Sequence, residues 1–95
     1  TGRMVGITKN NVYKNKEINF NPGDRIFLFS DGIYEQFNEK GIEFGEFELR
    51  VAMQETKNLK LQKSIDIIVE RLFNFLGKTD IQDDITILGI EFKKH

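Results

Sequence analysis

The sequence predicts an α+β domain in which a mainly antiparallel sheet carries helices on one face. Residues 26–29 and 85–92 are near-continuous runs of apolar, β-favouring residues, typical of strands inside a sheet. Residues 61–76 instead place their apolar side chains on one helical stripe. At 95 residues, the chain is long enough for one domain with a modest core.

The first third of the chain favours short strands. Residues 4–8 and 11–20 contain apolar runs broken by polar residues, and we expect a hairpin there with its turn at Asn15-Lys16. A turn at Pro22-Gly23-Asp24 then introduces the strand over residues 26–29. This strand ends at Ser30. Because its apolar run is continuous, we expect it to lie at the centre of the domain.

Helical patterns dominate the middle of the chain. One or two helical turns follow Asp31-Gly32, with Tyr34 and Glu35 at a half-exposed helix start. A helix over residues 45–56 and a longer one from residue 61 or 64 to residue 76 follow, the second stopped by Gly77-Lys78. The residues predicted to face the core are Phe27, Phe29, Leu49, Ala52, Met53, Leu61, Ile65, Ile68, Leu72, Phe73, Phe75 and Leu76.

Composition excludes several classes of function. The 14 basic and 15 acidic residues give a net charge of -1, so neither nucleic acid nor an anionic membrane is an expected partner. The absence of cysteine excludes disulfides, thiol nucleophiles and thiolate zinc sites. No apolar run approaches the roughly 18 residues of a membrane span. We expect a cytoplasmic location, with any membrane anchor in upstream segments.

Two aspartates stand at strand ends. Asp31 follows the strand over residues 26–29, and Asp83 precedes the strand over residues 85–92. If these strands are antiparallel neighbours, about 4.8 Å apart, both carboxylates lie at one edge of the sheet and repel each other unless a cation bridges them. Oxygen ligands favour Mg²⁺ or Mn²⁺. The alternatives are that Asp31 only caps the following helix and that Asp83-Asp84 is a solvent-exposed acidic turn.

Three stretches carry a resemblance to a known family. The stretch PGDRIFLFSDGIYEQFNEKGIEFGEFEL resembles the second aspartate motif of the metal-dependent (PPM-type) serine/threonine protein phosphatases, in their bacterial SpoIIE-like branch. Residues 82–88, QDDITIL, look like the last motif of that family, and residues 2–7, GRMVGI, are similar to the stretch before the second motif. The three stretches occur in family order and span nearly the whole chain.

The resemblance implies that residues 1–95 are the C-terminal portion of the catalytic domain, a partial α-β-β-α sandwich without its N-terminal half. It implies that Asp31 and Asp83 bind one metal of a two-metal centre of Mn²⁺ or Mg²⁺, with Asp84 and Gly32 as possible secondary ligands. A metal-bridging water, rather than a protein nucleophile, would attack phosphoserine or phosphothreonine. The first Asp-Gly motif of the family has no counterpart here, so we expect the fragment alone to be inactive.

The resemblance also suggests partners. The expected substrate is a phosphorylated regulatory protein, such as an anti-sigma-factor antagonist. Missing sheet neighbours would leave open edges, which makes a homodimer or strand-swapped self-association plausible. Two alternatives stay open: a catalytically dead, phosphatase-like regulatory or protein-binding module, and a plain α+β interaction domain that matches the motifs by chance.

Overall fold

A computed structural model describes residues 3–8 and 19–93. The elements in chain order are β1 (Met4–Thr8), β2 (Arg25–Phe29), α1 (Asp31–Tyr34), α2 (Gly45–Glu55), α3 (Leu61–Leu76) and β3 (Ile87–Glu91). They confirm the predicted central strand, the short helix after it, and both longer helices. The hairpin predicted around Asn15-Lys16 lies outside the described residues.

Within the described residues, the sheet has the order β1-β2-β3. β2 pairs antiparallel with β3, from Arg25 opposite Glu91 to Phe29 opposite Ile87, which is the pairing that a shared cation site at Asp31 and Asp83 requires. β1 pairs parallel to β2, so the sheet is mixed and the α+β class is confirmed. Among the described residues, β3 is an edge strand of this sheet, so the interior position predicted for it is wrong there.

The helices cover one face of the sheet. α2 contacts β1, and α3 contacts β3. The approach of α3 depends on Gly89, since a Cβ atom built there would lie 3.0 Å from Leu61 Cδ1 and 3.1 Å from Ile65 Cδ1. The alternate residues of β3 point to the other face, where Leu88 is 51% exposed and Ile90 is 40% exposed.

The core lies between β2 and the helices. Phe27, Ile33, Ile68, Leu72 and Leu76 are buried almost completely, so each contributes about 1.5–3 kcal/mol of hydrophobic stabilisation relative to an exposed side chain. Ile68, Leu72 and Leu76 lie on α3, and their burial confirms the predicted apolar stripe of this helix. The predicted core residues of α2, Leu49, Ala52 and Met53, are buried as well.

Phe73 departs from the predicted core. It is 49% exposed, because it lies on the flank of α3 next to the buried position Leu72 rather than on the buried stripe itself. Phe75 is partly buried and packs edge-on against Phe44, with 5.3 Å between ring centroids.

None of the helices among the described residues is long and apolar enough to cross a membrane.

Asp24 fastens the start of β1 to the turn before β2. Its buried carboxylate accepts hydrogen bonds from the backbone N–H groups of Arg3 at 2.7 Å and Asn21 at 2.9 Å, and it pairs with the Arg3 guanidinium at 3.1 Å. The N–H of Asn21, the N–H of Arg3 and the Arg3 guanidinium hold the pKa of Asp24 below its ordinary value, although burial acts in the opposite direction.

The first prediction concerns the pH dependence of stability. A depressed pKa in the folded state means that ionised Asp24 stabilises the fold above the unfolded pKa of about 3.9, and that this stabilisation is lost as pH falls through the folded pKa. Asp24→Asn should therefore lower the melting temperature at pH 7, and its difference from the wild type should shrink in strong acid.

Thermal melts from pH 7 to about pH 2 would measure this difference. Asp66→Asn is the matched control, because Asp66 is exposed on α3 and its one hydrogen bond comes from Gln62. If Asp24→Asn changes the melting temperature equally at both ends of the pH range, the lowered pKa of Asp24 does not contribute to stability.

Candidate functional site

The candidate site lies where β2 ends and β3 begins. Ser30 N donates to Thr86 O at 3.0 Å, and Thr86 N donates to Ser30 Oγ at 2.8 Å. These bonds extend the antiparallel ladder past its last pair, Phe29 and Ile87. Asp31 comes after Ser30, two residues past the end of β2, while Asp83 lies in the segment that leads into β3. The structure therefore brings both aspartates to the same edge of the sheet, the one formed by the C-terminal end of β2 and the N-terminal end of β3.

Gly32 allows the helix that follows β2 to contact the segment that precedes β3. It is buried, and a Cβ atom built on it would lie 2.1 Å from Asp84 O and 3.4 Å from Asp83 Cβ. No side chain fits at that distance from a backbone oxygen. The backbone of Asp84 and the Cβ atom of Asp83 thus pack directly on α1, at the residue next to Asp31. As metal ligands, Gly32 and Asp84 stay predictions.

Asp31 is partly buried and is held by a neighbour on the same helix. Tyr34 Oη donates to Asp31 Oδ1 at 3.0 Å. The N-cap of α1 is Ser30, with no side-chain capping bond, so the alternative that Asp31 caps this helix is wrong. Tyr34 is buried, which corrects the half-exposed position predicted for it, whereas Glu35 is exposed.

Asp83 and Asp84 are both exposed and have no regular secondary structure. Asp83 Oδ1 accepts a hydrogen bond from Asp84 N at 2.8 Å. Asp84 is one of the residues that line an apolar groove of about 460 Å³, together with Ile65 and Ile85. A solvent-exposed acidic turn would account for this exposure, but it does not account for the close packing of the turn on Gly32.

Two glutamines, Gln36 and Gln82, connect α1 and the residues after it with the segment before β3. Neither was predicted from the sequence. Gln36 is completely buried, and its amide bonds to Gly32, Gln82 and Asp83. Gln82 bonds in return to the backbone of Phe37. The available signal was a polar residue one helical turn after Gly32, between the apolar Ile33 and Phe37.

The carboxylate oxygens of Asp31 and Asp83 are ligand atoms of the kind that a hard divalent cation binds. Each aspartate has one carboxylate oxygen engaged, Oδ1 with Tyr34 in one case and Oδ1 with Asp84 N in the other, and within residues 3–8 and 19–93 the second oxygens accept no hydrogen bond. Mg²⁺ is commonly held by one or two carboxylates together with water. Across the same described residues, no group of three or more His, Cys, Asp or Glu side chains is arranged to hold a metal ion.

Comparison with known proteins identifies relatives. The family of stage II sporulation protein E (SpoIIE) matches residues 1–93. Among solved structures, the SiaA-PP2C domain of Pseudomonas aeruginosa is similar to this chain, with a TM-score of 0.78 and 28% sequence identity. The match covers 88% of this chain and 35% of that one, so the chain spans about a third of the matched structure. No curated protein matches the sequence.

The second prediction tests the packing at Gly32. Gly32→Ala should push residues 83–84 away from α1, because the new Cβ atom meets the Asp84 carbonyl oxygen at 2.1 Å. Overpacking of this kind costs about 1–3 kcal/mol. Urea denaturation would measure the lost free energy of unfolding.

Gly6→Ala is the matched control, because its Cβ atom would meet the flexible end of Met53 at 3.2 Å rather than a backbone atom. We expect Gly6→Ala to be the milder change of the two. Equal stability of the two variants would contradict the contact between Gly32 and Asp84.

Proposed function

The chain belongs to the stage II sporulation protein E (SpoIIE) family of phosphatase-type domains, and from this premise we propose that it is part of a metal-dependent protein serine/threonine phosphatase. The complete enzyme would hydrolyse phosphoserine or phosphothreonine on a regulatory protein. Residues 1–95 would form the C-terminal portion of its catalytic domain. The observation that supports this proposal is that the pairing of β2 with β3 places Asp31 and Asp83 at the same end of the two strands, next to the contact between Gly32 and Asp84.

The two aspartates would hold a Mn²⁺ or Mg²⁺ ion. Asp31 is fixed by β2 and by the Tyr34 hydroxyl, so one of its carboxylate oxygens is oriented before any cation arrives. Asp83 is held by the packing of its Cβ atom and of the adjoining Asp84 backbone on Gly32. When bound, a pair of divalent cations would supply an activated water and neutralise charge on the phosphoryl oxygens.

The side chains at the edge support a reaction without a protein nucleophile. The sequence has no cysteine. Two hydroxyls lie beside the aspartates, and both are hydrogen-bonded: Tyr34 Oη donates to Asp31 Oδ1, while Ser30 Oγ accepts from Thr86 N and donates to Asp84 O at 3.4 Å. Ser30 therefore maintains the strand pairing, and the acidic side chains are left to bind the cation.

The fragment by itself would hold only part of the site. The chain spans 35% of the matched PP2C structure, and two carboxylates leave most of the coordination sphere of a two-metal centre unfilled. We propose that the other ligands come from the remainder of the domain. The family resemblance supports a phosphorylated regulatory protein, such as an anti-sigma-factor antagonist, as the substrate, and the cytoplasm as the site of action.

The third prediction tests the ligands in the complete phosphatase domain. Asp31→Asn and Asp83→Asn should each abolish Mn²⁺- or Mg²⁺-dependent hydrolysis of a phosphoserine protein, since an amide keeps the size of the side chain but not the charge that holds a hard cation. Glu35→Gln is the control, because Glu35 is exposed on the same segment, and its effect should be small.

Melting temperatures without metal separate the ligand role from a structural one. Both Asp→Asn variants should melt like the wild type in the absence of metal. An Asp→Asn variant that keeps near-normal metal-dependent activity would show that the aspartate is not a required ligand. Inactivity of the complete wild-type domain with every metal and phosphoprotein tried would instead favour a catalytically dead regulatory module.

The fourth prediction concerns the 95-residue chain alone. Titration calorimetry with Mn²⁺ should show weak binding, on the order of millimolar, because two carboxylates alone make an incomplete site. Phosphoserine hydrolysis should not exceed that of the Asp31→Asn variant. Tight Mn²⁺ binding or robust turnover by these residues alone would contradict the proposal that the remainder of the domain completes the site.

A further inference from the structure

The two proposed ligands differ in how their positions are fixed. Asp31 is the first residue of α1 and is separated from β2 only by Ser30, so its backbone is set by regular secondary structure. Asp83 is exposed in a segment with no helix or strand, between α3 and β3. A cation bound by both carboxylates requires a fixed distance between them, so other groups have to hold the Asp83 segment against α1.

Gln36 makes this connection from the α1 side. Its Nε2 donates to Gly32 O at 2.7 Å and to Asp83 O at 3.2 Å, while its Oε1 accepts from Gln82 N at 2.9 Å. Both amide hydrogens and the amide oxygen are therefore used, and the side chain is completely buried. One amide thus bonds to the backbone beside Asp31 and to the backbone on either side of the Gln82–Asp83 peptide bond.

Gln82 makes the reverse connection. Its Oε1 accepts from Phe37 N at 2.8 Å, and its Nε2 donates to Phe37 O at 2.8 Å and to Asp80 O at 3.1 Å. Each glutamine therefore bonds to the backbone of the segment that carries the other. We call this pair of side chains, Gln36 and Gln82, the amide clamp.

We infer that the amide clamp sets the position of Asp83 relative to Asp31, which makes Gln36 and Gln82 positioning residues for the divalent cation. This inference rests on the proposed function. It depends on glutamine chemistry, since a carboxylate at position 36 could not donate to the carbonyls of Gly32 and Asp83. An apolar side chain of similar size would leave those carbonyls and the Gln82 N–H without this partner.

The experiment measures Mn²⁺ binding to the complete phosphatase domain by titration calorimetry. Gln36→Leu and Gln82→Ala should each weaken Mn²⁺ binding by roughly 10- to 100-fold, the effect typical of groups that orient metal ligands. Because the two side chains act as one unit, the double variant should bind Mn²⁺ about as weakly as the worse single variant. Gln54→Leu, on the exposed side of α2, is the matched control and should bind Mn²⁺ like the wild type.

Melting without metal distinguishes positioning from mere stabilisation. A lower melting temperature with unchanged Mn²⁺ affinity in Gln36→Leu would overturn the inference. If Gln36→Leu does not fold, Gln82→Ala decides the question, because Gln82 is exposed and its loss spares the core. Unchanged Mn²⁺ affinity in Gln82→Ala would then overturn the inference.

Asp31→Asn, measured in parallel, separates this inference from the proposed function. If Asp31→Asn binds Mn²⁺ as tightly as the wild type, the proposed metal site itself is wrong, and the inference falls with it. If Asp31→Asn loses Mn²⁺ binding while both glutamine variants keep it, the metal site stands and only the positioning role of the amide clamp fails.

Discussion

β2 and β3 pair antiparallel from Arg25 opposite Glu91 to Phe29 opposite Ile87, and the arrangement of the candidate site depends on this pairing. In an antiparallel pair, the carboxyl end of one strand lies beside the amino end of the other. The residues that follow β2 and the segment before β3 therefore lie side by side, although residues 31 and 83 are far apart in the sequence. The helices stabilise the pairing by covering the face that carries Phe27 and Phe29.

Polar side chains that are buried or partly buried bond across both ends of the paired strands. At the far end from the candidate site, Arg25 Nε donates to Glu91 Oε1 at 2.9 Å, and its guanidinium also bonds to Leu59 O just before α3. At the near end, Ser30 and Gln36 bond to the segment before β3. Because a buried donor or acceptor without a partner is costly, these bonds favour one register of β2 and β3 over its neighbours.

The proposed metal site combines a rigid half and an adjustable half. Asp31 follows a strand whose alternate residues are buried, and it precedes three buried residues of α1. Asp83 belongs to an exposed segment that is held by hydrogen bonds and by packing on Gly32. This division would let the affinity for the cation be tuned by residues such as Gln36 and Gln82, which do not contact the cation themselves.

The local elements of this protein and its family could be predicted from the order of its amino acids alone. α2, α3 and β2 were predictable because periodicity, apolar runs and Gly77 act over a few neighbouring residues, and Asp31 and Asp83 stand out through their motifs. Only the tertiary structure decided that β3 lies at an edge among the described residues, that Phe73 is half exposed, and that Gln36 bonds to Gln82. An apolar run does not encode how many strands flank it, and a hydrogen bond between residues 46 positions apart forms only after the strand pairing has brought their segments together.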